Sequence, residues 1–101
     1  MSNKKILILP GDGIGNEVMS EVSKIINWME KTKSMSFDIS ERFVGGTAYD
    51  KEGDSISDET MQVALNSDAV LFGAVGGAKW DSVEREKRPE AALLRLRKEL
   101  D

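Results

Sequence analysis

Three short stretches of this chain carry residue types and spacings that could do chemistry. The first is Pro10-Gly11-Asp12-Gly13-Ile14-Gly15-Asn16, a glycine-rich turn directly after the apolar run Ile6-Leu7-Ile8-Leu9. Bare backbone N–H groups at a helix start can cradle a phosphate, and a strand–turn–helix of this kind is where dinucleotide-binding folds do it. The second is Gly76-Gly77-Ala78-Lys79-Trp80-Asp81, soon after another apolar run, Ala69-Val70-Leu71-Phe72. It falls where α/β sheets place ligands, at the carboxyl end of a strand, on a loop whose glycines permit close approach. A plain surface turn with Trp80 tucked into the core is the competing reading. The third is Glu90 with Leu93 or Leu94 and Arg97, at i, i+3 or i+4, i+7 spacing, which puts them on one helix face. An acid, a leucine patch and a guanidinium suit a small carboxylate with a branched apolar arm, the arginine gripping a carboxylate in fork geometry. The alternative is an exposed helix laced with ion pairs such as Glu90 and Arg97.

The first stretch fails as a dinucleotide fingerprint. In G-x-G-x-x-G the third glycine lets the helix approach the strand, but here the glycines fall at 11, 13 and 15 and Asn16 fills that slot. The second strand ends Val44-Gly45-Gly46 without the carboxylate that would hold a ribose, and Asp12 puts a negative charge where pyrophosphate would sit. No glycine is followed at the right spacing by Gly-Lys-Ser or Gly-Lys-Thr, so it is not a Walker loop either. What remains is a tight strand-to-helix turn, glycine supplying positive φ and Asp12 bonding back to the local backbone.

Composition narrows the chemistry further. There is no cysteine and no histidine, so the usual zinc ligands, disulfides and histidine-based triads are missing. Any acid–base step must use carboxylates, lysine or tyrosine. The net charge of −4, with the basic cluster of residues 85–98 interleaved with glutamates, argues against a nucleic-acid face. The opening apolar run is too short for a signal-peptide core or a membrane span, which points to a cytoplasmic protein with no membrane partner.

The elements that must position these residues follow from periodicity. Ile6–Leu9 is continuously apolar, as a strand buried on both faces of a parallel sheet requires. Apolar residues then recur at Ile14, Val18, Val22, Ile25, Ile26 and Met29, which predicts an amphipathic helix over roughly 15–33. Phe37, Ile39 and Phe43 alternate with polar residues, predicting a second strand to about Val44. Gly45 to Ser55 reads as a loop. Ser57 is a helix N-cap with Asp58 and Glu59 in the first turn, Ile56 and Met61 have the spacing of a hydrophobic staple, and the helix ends near Asn66. Ala69–Phe72 is a third buried strand. Pro89 suits the first position of a last helix, with Leu93, Leu96 and Leu100 as its buried stripe. The order strand, helix, strand, helix, strand, helix gives an α/β fold with a mainly parallel sheet and flanking helices. One core fits in 101 residues and two do not.

Together the segments LPGDGIGNEV, VGGTAYD, AVLFGAVGGAKWD and RPEAALLRLRKEL resemble, in order and approximate spacing, the start of the 3-isopropylmalate dehydrogenases, within the β-decarboxylating dehydrogenases. The resemblance covers residues 4–101. The first motif is shared with isocitrate, homoisocitrate and tartrate or D-malate dehydrogenases; the GGAKWD and RPE…LLRLRK segments are more specific. The resemblance implies NAD-dependent oxidation of 3-isopropylmalate, then decarboxylation to 2-oxoisocaproate, in leucine biosynthesis. It also implies that NAD is held without a Rossmann fingerprint. By motif, Gly76, Gly77, Ala78, Lys79, Trp80, Asp81 and Glu90 correspond to residues lining the cofactor site, Glu90 near the nicotinamide ribose, and Ile14 to a contact from the first loop. Arg97 corresponds to the first arginine that grips the malate carboxylates, and Leu93 and Leu94 to leucines packed on the isopropyl group. Two leucines cannot hydrogen-bond the extra carboxylate of isocitrate, which would then be buried unpaired. Ala92 stands where many members have glycine and Ala78 where many have proline.

By the same resemblance, a second substrate arginine, the catalytic tyrosine, a lysine from a partner subunit and the aspartates binding Mg²⁺ or Mn²⁺ lie beyond residue 101. Tyr49, in the VGGTAYD segment, does not match the catalytic tyrosine. The chain thus reads as the N-terminal part of a first α/β domain, residues 1–101, of a homodimeric enzyme, with no catalytic residue or metal ligand of its own. The alternatives are a homoisocitrate or D-malate/tartrate relative, and a non-catalytic α/β structural module. An incomplete sheet predicts exposed edges and apolar helix faces, hence marginal stability or self-association.

Overall fold

The computed structural model describes residues 4–33 and 36–100. Three strands, β1 (Lys4–Gly11), β2 (Phe37–Glu41) and β3 (Ala69–Ala74), form one parallel sheet in the order β2-β1-β3. Ile6 stands opposite Ile39 on one side of β1, and Ile8 opposite Leu71 on the other. The continuous apolar run is therefore the central strand. Successive side chains of β1 point to opposite faces, and both faces are covered. Leu7 and Leu9 enter a core with Val44, Ile56, Met61, Ala64, Ala92 and Leu96, whereas Ile8 enters one with Met19 and Ile26. Leu7 and Leu9 are fully buried, each worth roughly 1.5–3 kcal/mol.

The first core is roofed by α3 (Asp58–Leu65) and α4 (Pro89–Leu100), the second by α1 (Gly15–Thr32). The chain steps one way from β1 to β2 and back across β1 to reach β3. Right-handed crossovers then demand helices on opposite faces.

Helix α3 starts as the sequence predicts. Ser57 Oγ accepts from the Thr60 N–H at 3.1 Å, Asp58 and Glu59 fill the first turn, and Ile56 and Met61 are both buried. Helix α4 starts at Pro89, also as predicted.

Five expectations are corrected. Strand β2 ends at Glu41, not Val44. The Ile8 carbonyl still accepts from Arg42 N–H at 3.1 Å, but Pro10, two residues on and facing the same side, has no N–H to continue the ladder. Val44 turns into the α3/α4 core instead. Residues 45–55 are not all loop, because Gly46–Glu52 forms a helix, α2, closed by Gly53 at φ 81°. Third, α1 buries Gly15, Met19 and Ile26 while Ile14, Val18 and Ile25 stay exposed. Its apolar arc is wider than one sheet can cover, and Gly15 selects the buried side. A Cβ there would overlap the Pro10 carbonyl and the Ala74 backbone, so only this face can sit so close. Fourth, α4 buries Pro89, Ala92 and Leu96, with Leu93 half-buried and Leu100 exposed. In that rotation Arg95 bonds Glu99 (2.6 Å) on its own helix and Asp58 (2.7 Å) at the start of α3. Strand β3 is half-buried rather than fully buried, as suits a strand paired on one side among the described residues.

Candidate functional site

In a sheet of order 2-1-3 the chain reverses direction between β1 and β3, and the crevice beyond those two strand ends is the usual ligand position. Here that crevice is closed. The Asp12 N–H donates to the Ala74 carbonyl at 2.7 Å, and Cβ atoms on Gly11 or Gly73 would collide with Ala74 or Pro10. Glycines 11 and 15 thus serve backbone-to-backbone contact across the two loops, not approach to a phosphate.

The Asp12 carboxylate seals the junction. It is 3% exposed, and Oδ2 accepts from the N–H of Gly46 (2.8 Å) and Gly76 (2.9 Å). Oδ1 accepts from the N–H and hydroxyl of Thr47, each at 2.8 Å. The expected local turn bond is thereby corrected. Asp12 ties the end of β1 to the start of α2 and to the second glycine loop, 34 and 64 residues away. Converging N–H dipoles at a helix start offset its charge without a basic partner. This tertiary cap explains why α2 forms from a glycine pair, with no side-chain cap of its own.

The second loop lies against α2. Gly76 sits at φ 114°, and a short 3-10 turn covers Ala78–Trp80. The Trp80 ring occupies the space where a Gly46 side chain would stand. Its Nε1–H donates to Asp50 Oδ1 at 3.2 Å, and Lys79 Nζ to Asp50 Oδ2 at 2.8 Å. The Lys79 bond, seconded by Trp80, holds the Asp50 carboxyl below its usual range. Trp80 is therefore half-buried on α2 rather than in a core, while Gly77, Ala78, Lys79 and Asp81 are exposed.

The structure brings Ile14 and Gly76–Asp81 into one neighbourhood, through the Asp12–Gly76 bond and the close contact of Gly15 with Ala74. Ile14 is 64% exposed at its rim. Glu90, Leu94 and Arg97 form an open face of α4, with Leu93 half-buried beside them. No hydrogen bond or ion pair among the described residues joins Glu90 to the glycine loops, or Glu90 to Arg97. The ion pairs of α4 among the described residues belong to Arg95, and none of them takes up Glu90 or Arg97.

Sequence reasoning missed two features. One is the reach of Asp12, for which one-dimensional spacing offers no signal. The other is a cavity of about 440 Å³ where β1 and β2 end, lined by Pro10, Asn16, Arg42, Phe43 and Thr47 among others. None of the residues singled out for the cofactor or substrate lines it. Among the described residues no group of three or more His, Cys, Asp or Glu could hold a metal, and no helix is long and apolar enough to cross a membrane.

Comparison with known proteins bears on the family of the chain. A family model described as isocitrate/isopropylmalate dehydrogenase matches residues 5–101. The 3-isopropylmalate dehydrogenase of Rhodopseudomonas palustris (strain HaA2) is 57% identical over 100 residues, 99% of this chain and 27% of that protein. That of Ruegeria pomeroyi is 57% identical over 101 residues, the whole of this chain and 28% of the relative. Among solved structures, the apo form of a β-decarboxylating dehydrogenase from Thermococcus kodakarensis superposes with a TM-score of 0.72 at 28% identity, over 96% of this chain and 26% of that one. The chain thus spans about a quarter of the length of the relatives it matches. The matched family model and the similarity in fold lead to one assignment: the chain belongs to the isocitrate/isopropylmalate dehydrogenase family.

Proposed function

We propose that this chain is the N-terminal part of the first domain of an NAD-dependent 3-isopropylmalate dehydrogenase, a homodimer acting in leucine biosynthesis in the cytoplasm. The observation that carries the reading is the open face of α4, where Leu94 is 63% exposed and Arg97 has no ion-pair partner among the described residues. An exposed leucine in line with a guanidinium fits a hydroxy acid with an apolar arm. Arg97 grips a malate carboxylate in fork geometry while Leu93 and Leu94 exclude water from the isopropyl group.

The chain's residues also fit a nicotinamide cofactor. Ile14 offers an exposed apolar contact beside the loop, and Gly76 leaves open space where a side chain would stand. Gly76, Gly77, Ala78, Lys79, Trp80 and Asp81 line the cofactor on one side, and Glu90 meets the nicotinamide ribose. A nicotinamide held there would supply the hydride acceptor for oxidation of the substrate carbinol. Ligands for a divalent Mg²⁺ or Mn²⁺ come from outside this chain, and that ion supplies Lewis-acid polarisation of the substrate carbonyl.

The test is turnover by the full-length protein with NAD on 3-isopropylmalate, homoisocitrate, isocitrate, D-malate and tartrate. A kcat/KM highest for 3-isopropylmalate is expected. Preference for a tricarboxylate would overturn the role given to Leu93 and Leu94, and no turnover of any of these acids would favour a structural module.

A further inference from the structure

Helix α2 has seven residues, and the second glycine loop is fastened to it at both ends. At one end the Gly76 N–H donates to Asp12, whose carboxylate also takes the first two N–H groups of α2. At the other, Asp50 accepts from Lys79 and from the Trp80 indole, whose ring rests on Gly46. Gly46 and Asp50 are four residues apart and share one face of the helix, so ring and carboxylate form a single seat.

We propose that Asp50 is a positioning residue for the Gly76–Asp81 loop, holding Lys79 and Trp80 on α2 so that the loop's backbone is set before a cofactor arrives. The inference rests on the reading of this loop as part of an NAD site. A loop already ordered loses less conformational freedom on binding, so the anchor raises cofactor affinity without touching the cofactor. The Lys79–Asp50 pair is well exposed, with side-chain accessibilities of 70% and 39%. Pairs of that kind contribute little to global stability, so removing it frees the loop without unfolding the domain.

The experiment uses the full-length protein with Asp50→Ala, Asp50→Asn and, as an independent lesion, Gly46→Ala, whose Cβ displaces the Trp80 ring without changing any charge. Amide hydrogen exchange without NAD is expected to quicken at residues 76–81 in all three, more in Asp50→Ala than in Asp50→Asn, which keeps one acceptor. KM for NAD is expected to rise roughly ten-fold in Asp50→Ala, with kcat and KM for the hydroxy acid within about two-fold. Unchanged exchange at 76–81, faster exchange throughout the chain, or a faster loop with unaltered KM for NAD would each overturn the proposal. A wild-type protein that fails to bind NAD, with the exchange contrast intact, would sink the cofactor reading and leave Asp50 as the loop's anchor.

Discussion

Two carboxylates at the ends of one short helix behave oppositely because of burial. Asp12 is buried and satisfies three backbone N–H groups and a hydroxyl. Asp12→Ala strands those donors, at about 1–3 kcal/mol for each group left unpaired and partly compensated by water, so a loss of roughly 3 kcal/mol or more is expected in denaturant titration. A loss under about 1 kcal/mol would mean that water replaces the carboxylate at no cost. Asp50 is exposed, and its carboxyl is depressed by Lys79 and then Trp80. A depressed acid contributes above its unfolded value and loses that contribution as pH falls through the folded one. The Trp80 seat on α2 is therefore expected to persist from neutral pH to about pH 5 and to loosen only below about pH 4. Fluorescence of Trp80 in a Trp28→Phe background, in the isolated chain, reads this directly. A transition near pH 6 would contradict it.

At the scale of elements, the contact between α1 and the sheet depends on the absence of one methyl group. Gly15→Ala drives a Cβ into the Pro10 carbonyl and the Ala74 backbone, neither of which is a flexible side-chain end. Overpacking of this kind costs about 1–3 kcal/mol or more. Gly13, at φ 52° but with open space around it, should cost only about 1 kcal/mol on replacement by alanine. Thermal unfolding of the two variants is expected to rank Gly15→Ala well below Gly13→Ala. The reverse order would show that conformation, not proximity, makes glycine necessary in this turn. The same elements show how far sequence carries. Ser57 capping α3 and Pro89 opening α4 were legible because each signal lies within one turn of the residue it serves. Helix α2 was not, because its cap comes from Asp12 across the fold.

For the molecule as a whole, one exposed apolar stripe runs along α1 and its N-cap, where Ile14, Val18, Ile25 and Trp28 are 44–64% exposed and lie along one face. β2 and β3 are each paired on one side only among the described residues. Exposed apolar stripes and open strand edges both favour association. The 101-residue chain by itself is expected to show a sedimentation coefficient that rises with concentration, and Val18→Lys with Ile25→Lys should weaken that dependence. A concentration-independent monomer with a cooperative melt would contradict it.

The sequence by itself determined the α/β class, the burial of Ile6–Leu9 on both faces of the sheet, the helix starts at Ser57 and Pro89, and the failure of the opening turn as a dinucleotide fingerprint. These follow from periodicity and from signals a few residues apart. Only the tertiary structure decided what the glycines and Asp12 of that turn are for, which side of α1 is buried, that Arg95 is the α4 residue paired to the start of α3, and that Trp80 rests on α2. Each of those outcomes depends on groups tens of residues apart meeting at the carboxyl ends of the strands or between packed helices, and such distances are set by packing rather than by spacing along the chain.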